Sequence, residues 1–239
     1  MRMLAGVLLC AVSGAVCAQA PAPPPDPLIG AVALGYLSTK GNTDSTNANA
    51  KFDAAWDLDG PWKHIWSALA ITARTDGITT AESYSAGYKG QRDLASMASY
   101  IFAAGDWRQD RFSGYDQQIS ETVGYGRRLI DNERHVLAIE GGAGAKQSEL
   151  VDGTSLDEAI VRGGLDYLLH IGESSQFTQK LIIEQGDDNR YTESTSALKA
   201  QVVGNIALVL SYVIKSNSDV PVGIEKTDRF TSISLEYAF

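Results

Sequence analysis

Histidine suits general acid–base work or metal binding near neutral pH, and this chain has three: His64, His135 and His170. Hydrolysis would need a nucleophile activated by one of them. Neither a Gly-x-Ser-x-Gly element nor a His-Glu-x-x-His zinc motif occurs, and the histidines stand beside three different turn signals. Both cysteines, Cys10 and Cys17, lie near the N-terminus, in a segment read below as removable, so thiolate chemistry is excluded from the rest. The carboxylates Glu149, Asp152, Asp157 and Glu158 cluster in one polar segment, and Asp187 and Asp188 in another, with Glu184 and Glu193 flanking. Such groups can share divalent cations with lipid phosphates. The D-x-D-x-D-G calcium loop is absent, however, and a solvated loop is polar without any ligand. These patterns give no catalytic residue, no metal site and no cofactor.

A second set of ionisable residues is more regular. Lys51, Asp53, Lys89, Glu140, Arg162, Asp166, Lys180, Glu184, Lys199 and Glu236 stand opposite apolar faces in runs of alternating character. If the apolar faces meet lipid, these ten line an interior. Their signs interleave, whereas a ring of one sign is what selects ions.

The elements that carry them are strands. Ala48, Ala50, Phe52, Ala54, Trp56 and Leu58 alternate with Asn49, Lys51, Asp53, Ala55 and Asp57, and Ile206, Leu208, Leu210, Tyr212 and Ile214 share one face of a later run. The alternation predicts about twelve strands, near 29–38, 46–58, 62–75, 81–93, 96–108, 117–130, 135–147, 158–170, 175–186, 190–203, 205–216 and 227–239. Connections after the even strands are short, as in Leu94-Ala95 and Gly204-Asn205. Those after the odd strands are longer and more polar, as in Q-S-E-L-V-D-G-T-S-L-D-E. Short periplasmic turns, longer external loops and an even strand number describe an outer-membrane barrel. The aromatics Trp56, Trp62, Trp66, Tyr100 and Tyr167 map to the short-turn end, where an interfacial girdle belongs.

The N-terminus fits export. Met1-Arg2-Met3 is basic, Leu4 to Val16 is apolar, and small residues precede cleavage sites after Ala18 or Ala20. Residues 1–20 are therefore read as a signal peptide, 21–27 as a proline-rich leader, and 28–239 as one barrel. A formal charge of −9 with no basic stripe argues against nucleic acid. Beyond the signal no run of 18 apolar residues occurs.

The chain ends T-S-I-S-L-E-Y-A-F. Hydrocarbon cannot satisfy a free strand edge, so the last strand must pair with the first. Ile233, Leu235, Tyr237 and Phe239 on one face resemble the C-terminal signal read by the bacterial barrel-assembly machinery. The first hairpin, G-Y-L-S-T-K-G-N-T-D-S-T-N-A-N-A from Gly35 to Ala50, resembles the salt-induced outer-membrane protein family, a domain of unknown function. That resemblance implies a barrel in the outer membrane of a Gram-negative bacterium, tied to osmotic or salt response, with no reaction to carry over. The expected partners are outer-membrane lipid, lipopolysaccharide and, during biogenesis, the assembly machinery. The expected role is structural or in envelope stress, with an interior largely filled by mixed charges. A narrow channel for ions or small solutes is the alternative, and an outer-membrane hydrolase is the reading from another class.

Overall fold

The computed structural model describes residues 28–40, 44–57, 60–95 and 98–239. The signal and leader segments, and the Gly41-Asn42-Thr43 turn, lie outside them. Twelve strands follow one another: β1 (Leu28–Thr39), β2 (Ser45–Asp57), β3 (Trp62–Thr75), β4 (Ile78–Asp93), β5 (Ser99–Asp110), β6 (Tyr115–Asp131), β7 (His135–Leu150), β8 (Ser155–His170), β9 (Ser175–Gln185), β10 (Arg190–Val203), β11 (Ile206–Asn217) and β12 (Thr227–Ala238). Each pairs antiparallel with its neighbours in sequence, and β1 meets β12 to close the ring. This is an all-β, up-and-down barrel of the outer-membrane type.

The side-chain period of two now has a physical reading. Leu34, Val123, Val161 and Leu235 each stand more than half exposed on the outer face. A continuous greasy belt of this kind is costly in water and favourable in hydrocarbon. Among the described residues the buried apolar cluster is small, Tyr100, Phe102 and Ala104 on β5, with single buried residues such as Ile160 and Val213 elsewhere. Stability therefore comes from the closed hydrogen-bond ladder and the lipid around it, not from a packed apolar centre.

The structure corrects the loop lengths. β3 and β4 are joined by Asp76-Gly77 alone, both with positive φ (51° and 80°), a two-residue hairpin turn. β7 and β8 run on past the expected boundary, leaving only residues 151–154 between them. Polar residues above a membrane can extend a ladder as well as a loop, so polarity alone placed those ends too early. Only the connection from 218 to 226 stays long. In the 151–154 turn, the Thr154 N–H donates to Asp152 Oδ1 at 2.9 Å. Together with the Thr154 side chain, this contact holds the Asp152 carboxyl below the usual carboxylate range.

The closing seam differs from the other interfaces. β1 and β2 share twelve paired positions, from Leu28↔Trp56 to Thr39↔Ser45. β1 and β12 share four, from Ala31↔Ala238 to Leu34↔Leu235. Below them the Gly30 and Phe239 backbones exchange both hydrogen bonds at 2.9 Å.

Candidate functional site

Register determines which side chains enter the lumen. Lys51 stands opposite Leu69 on β3, Leu69 opposite Ser85 on β4, and Ser85 opposite Arg108 on β5, so all four share the inner face. The interior divides into two unlike halves.

The external half is packed with charge. The Arg108 guanidinium grips both oxygens of Glu184, Nη1 to Oε2 and Nη2 to Oε1, each at 2.9 Å. Glu184 is fully buried and also accepts from Ser120 Oγ at 3.1 Å and Arg162 Nη1 at 3.2 Å. Arg162 Nη1 reaches Asp106 Oδ2 at 2.5 Å. Arg108 lies 4.2 Å over the Tyr191 ring on β10. Beside this network Lys146 Nζ sits 2.7 Å from Glu158 Oε1 without a hydrogen bond of ordinary geometry, a purely ionic contact. Lys215 on β11 donates to Ser83 on β4 at 2.9 Å, spanning the lumen. Four charges in one hydrogen-bonded group offset a desolvation cost that an isolated buried ion could not.

The half nearer Leu28 and Phe239 is open. A cavity of about 580 Å³ begins there and reaches up to Arg108, Ile71, Val213 and Phe230. Lys51, Asp53, Lys89, Glu140, Arg162, Asp166, Lys180, Lys199 and Glu236 line this cavity, while Glu184 sits behind Arg108. Lys89 donates to Glu140 Oε1 at 2.5 Å, and the Tyr100 hydroxyl adds a bond to the same oxygen at 2.9 Å. Lys199 pairs with Glu236. Two pairs are looser: Lys51–Asp53 at 2.5 Å with both side chains 44% exposed, and Lys180–Asp166 at 4.0 Å. Nearly balanced charge around the cavity leaves no single-sign ring.

Two placements are corrected. Tyr100, expected in the outer girdle, points inward and is 3% exposed, because it shares the parity of Asp106 and Arg108 on β5. Glu158, expected in a loop, faces the lumen against Lys146. The other expected girdle residues face outward. His64 stacks between Trp66 and Tyr88, beside Trp56, and its Nδ1 is 2.7 Å from Tyr88 Oη. His135 stacks on Tyr167 in the same way, and Arg92 lies over Trp62. Sequence reading missed Asp106, Arg108, Lys146 and Lys215. The Asp106-x-Arg108 spacing was the one available signal, since two charges on one face of a strand mark that face as interior. Among the described residues no cluster of three or more candidate metal ligands occurs.

Residues 32–239 match the family model described as "Protein of unknown function, DUF481". A curated relative, the "Uncharacterized protein YdiY" of Escherichia coli (strain K12), is 28% identical over 219 residues, covering 91% of this chain and 86% of that protein. Among solved structures, the COG4313 outer membrane channel from Pseudomonas putida F1 superposes with a TM-score of 0.51 at 10% identity, covering 89% of this chain and 95% of that one. A NanC porin gives a TM-score of 0.48 at 12% identity, with coverages of 87% and 97%. At such identities the likeness to the two solved structures is one of fold.

Proposed function

Because the chain belongs to the DUF481 family, salt-induced outer-membrane proteins to which its first hairpin is similar, we propose that it is an exported barrel with a structural role in the envelope under salt or osmotic stress. In this reading the N-terminal segment is a cleaved signal peptide, and the barrel-assembly machinery recognises the strand that ends at Phe239. The lumen is shut in its external half and open to the periplasm as a blind vestibule. The observation that carries the closure is the Arg108–Glu184 fork, anchored from β5 to β9 and backed by Arg162 and Ser120. Salt bridges that cross a lumen brace opposite walls, a sensible design for a barrel whose task is to stay intact as ionic strength changes. Burial also shields the fork from the screening that weakens exposed pairs.

The second reading is a narrow channel, favoured by the cavity of about 580 Å³ inside the barrel. Planar-bilayer recording separates the two. The structural reading expects little or no unitary conductance from the wild type, and discrete openings from Arg108→Ala combined with Glu184→Ala. Stable porin-sized openings in the wild type would favour the channel.

A further inference from the structure

The seam between β1 and β12 stops halfway. Pairing ends at Leu34↔Leu235, yet β1 continues to Thr39 and β12 begins at Thr227. Among the described residues no further pairs join these two stretches. A last cross-link, Ser234 Oγ to Asn49 Oδ1 at 2.8 Å, passes over Gly35, where a Cβ would meet both side chains. Above it the two strands face each other with unpaired backbone edges. Within hydrocarbon each unpaired N–H or C=O costs several kcal/mol, so such edges need water or an occupant.

The inner surface beside the gap carries apolar side chains that the opposite wall of the external half has fewer of. Opposite it, the wall from β5 to β9 carries Asp106, Arg108, Lys146, Arg162 and Glu184. Around the gap the inward residues include the apolar Val213 on β11, Phe230 on β12 and Ile71 on β3, all three lining the 580 Å³ cavity, with Asn49, Ser211, Ser232 and Ser234 between them and Lys215 and Asp228 above. Leu37 on β1 has the inward parity of Ala33, yet it is 61% exposed. Leu37, Phe230 and Val213 thus give apolar contact between the split wall and the cavity, with hydroxyl and amide groups between them. Lys51, adjacent to Ala33 in the ladder, offers a half-exposed cation beside them, held by Asp53 at 2.5 Å until a competing anion arrives.

We propose that the unpaired external half of the β1–β12 seam is a lateral portal, through which the acyl chain of an anionic amphiphile passes from the membrane into the cavity. The chain lies along Leu37, Phe230 and Val213, and the head group meets Lys51. This goes beyond the structural role and does not depend on the lumen being closed to ions.

Absence of native cysteine from residues 28–239 permits a direct test. Continuing the seam register sets Tyr36 opposite Ile233. A Tyr36→Cys, Ile233→Cys pair would staple the portal shut, and a Leu34→Cys, Leu235→Cys pair would staple wall that is already zipped. Binding of cis-parinaric acid, a fluorescent fatty acid, is followed on the full barrel held in amphipol, with heat-modified gel migration confirming that each variant is folded. The proposal expects saturable uptake by the wild type and by the lower staple. Oxidising the upper pair abolishes uptake and reduction restores it, and an upper pair that resists oxidation while the lower one cross-links also supports an open seam. Phe230→Asp should weaken uptake by about 10-fold or more, since it replaces buried ring contact with a charge. No saturable uptake by the wild type, or uptake unchanged in the fully cross-linked upper pair, overturns the portal.

Discussion

Arg108 and Glu184, 76 residues apart in the chain, meet inside the barrel as a two-pronged ion pair with both N···O distances at 2.9 Å. Around them the sheet presents Asp106, Ser120 and Arg162, so that neither charge depends on water.

Glu184→Ala should therefore be costly. It leaves Arg108 and Arg162 to share the single carboxylate of Asp106 in a buried site, with a loss of about 3–5 kcal/mol expected for breaking a buried pair. Asp53→Ala removes the partner of a half-exposed lysine and should cost about 0–1 kcal/mol. Urea unfolding of the refolded barrel in liposomes measures both, and equal losses would refute the ranking.

Gly144 is expected to tolerate no side chain. A Cβ there would stand 1.8 Å from the Glu121 carbonyl oxygen across the β6–β7 ladder, where two backbones approach closely. Gly163 on the neighbouring strand has nothing within 4 Å of the same added atom. Gly144→Ala should lose the heat-modifiable folded band on gels, and Gly163→Ala should keep it.

Tyr100→Phe removes the hydroxyl that shares Glu140 with Lys89 while keeping the ring in the small core. A hydrogen bond to a charged group contributes about 1.5–3 kcal/mol, so a loss in that range is expected in the same urea assay. Glu140→Gln with Tyr100→Phe should cost less than the sum of the two single changes, because both act on one contact.

Deleting Phe239 removes the two backbone hydrogen bonds to Gly30 that finish the closing seam. With only four other paired positions on that seam, the barrel should reach the outer membrane in sharply reduced amount. Immunoblots of outer-membrane fractions test this, and wild-type levels would count against a role for the terminal residue in assembly.

How much of this could be read from the chain follows from what the period of two contains. Strand number, antiparallel order and the outward set of Leu208, Leu210, Tyr212, Ile233 and Leu235 are local properties of alternation, and the structure has them. Facing was readable for strands whose charges fall clearly on one side, such as β2 with Lys51 and Asp53. It failed at β5, where Tyr100 and Phe102 share a side with Asp106 and Arg108, so that aromatic character and charge gave opposite answers. Partners across the lumen were not readable. They depend on the stagger that builds up around twelve strands, which decides that Arg108 faces Glu184 and that Lys215 faces Ser83. The half-open seam was equally hidden, because complementary alternation on β1 and β12 is the same whether or not the ladder is zipped.

The central claim is that hydrocarbon surrounds the outward face of every strand while the inward face meets protein or water. Nitroxide scanning along β11 in liposomes tests it residue by residue, with single cysteines placed from Leu208 to Val213. Collision with oxygen should peak at positions 208, 210 and 212, and the water-soluble nickel reagent should be excluded there. Nickel reaching Leu208, Leu210 and Tyr212 as freely as a surface loop would contradict a membrane-embedded barrel.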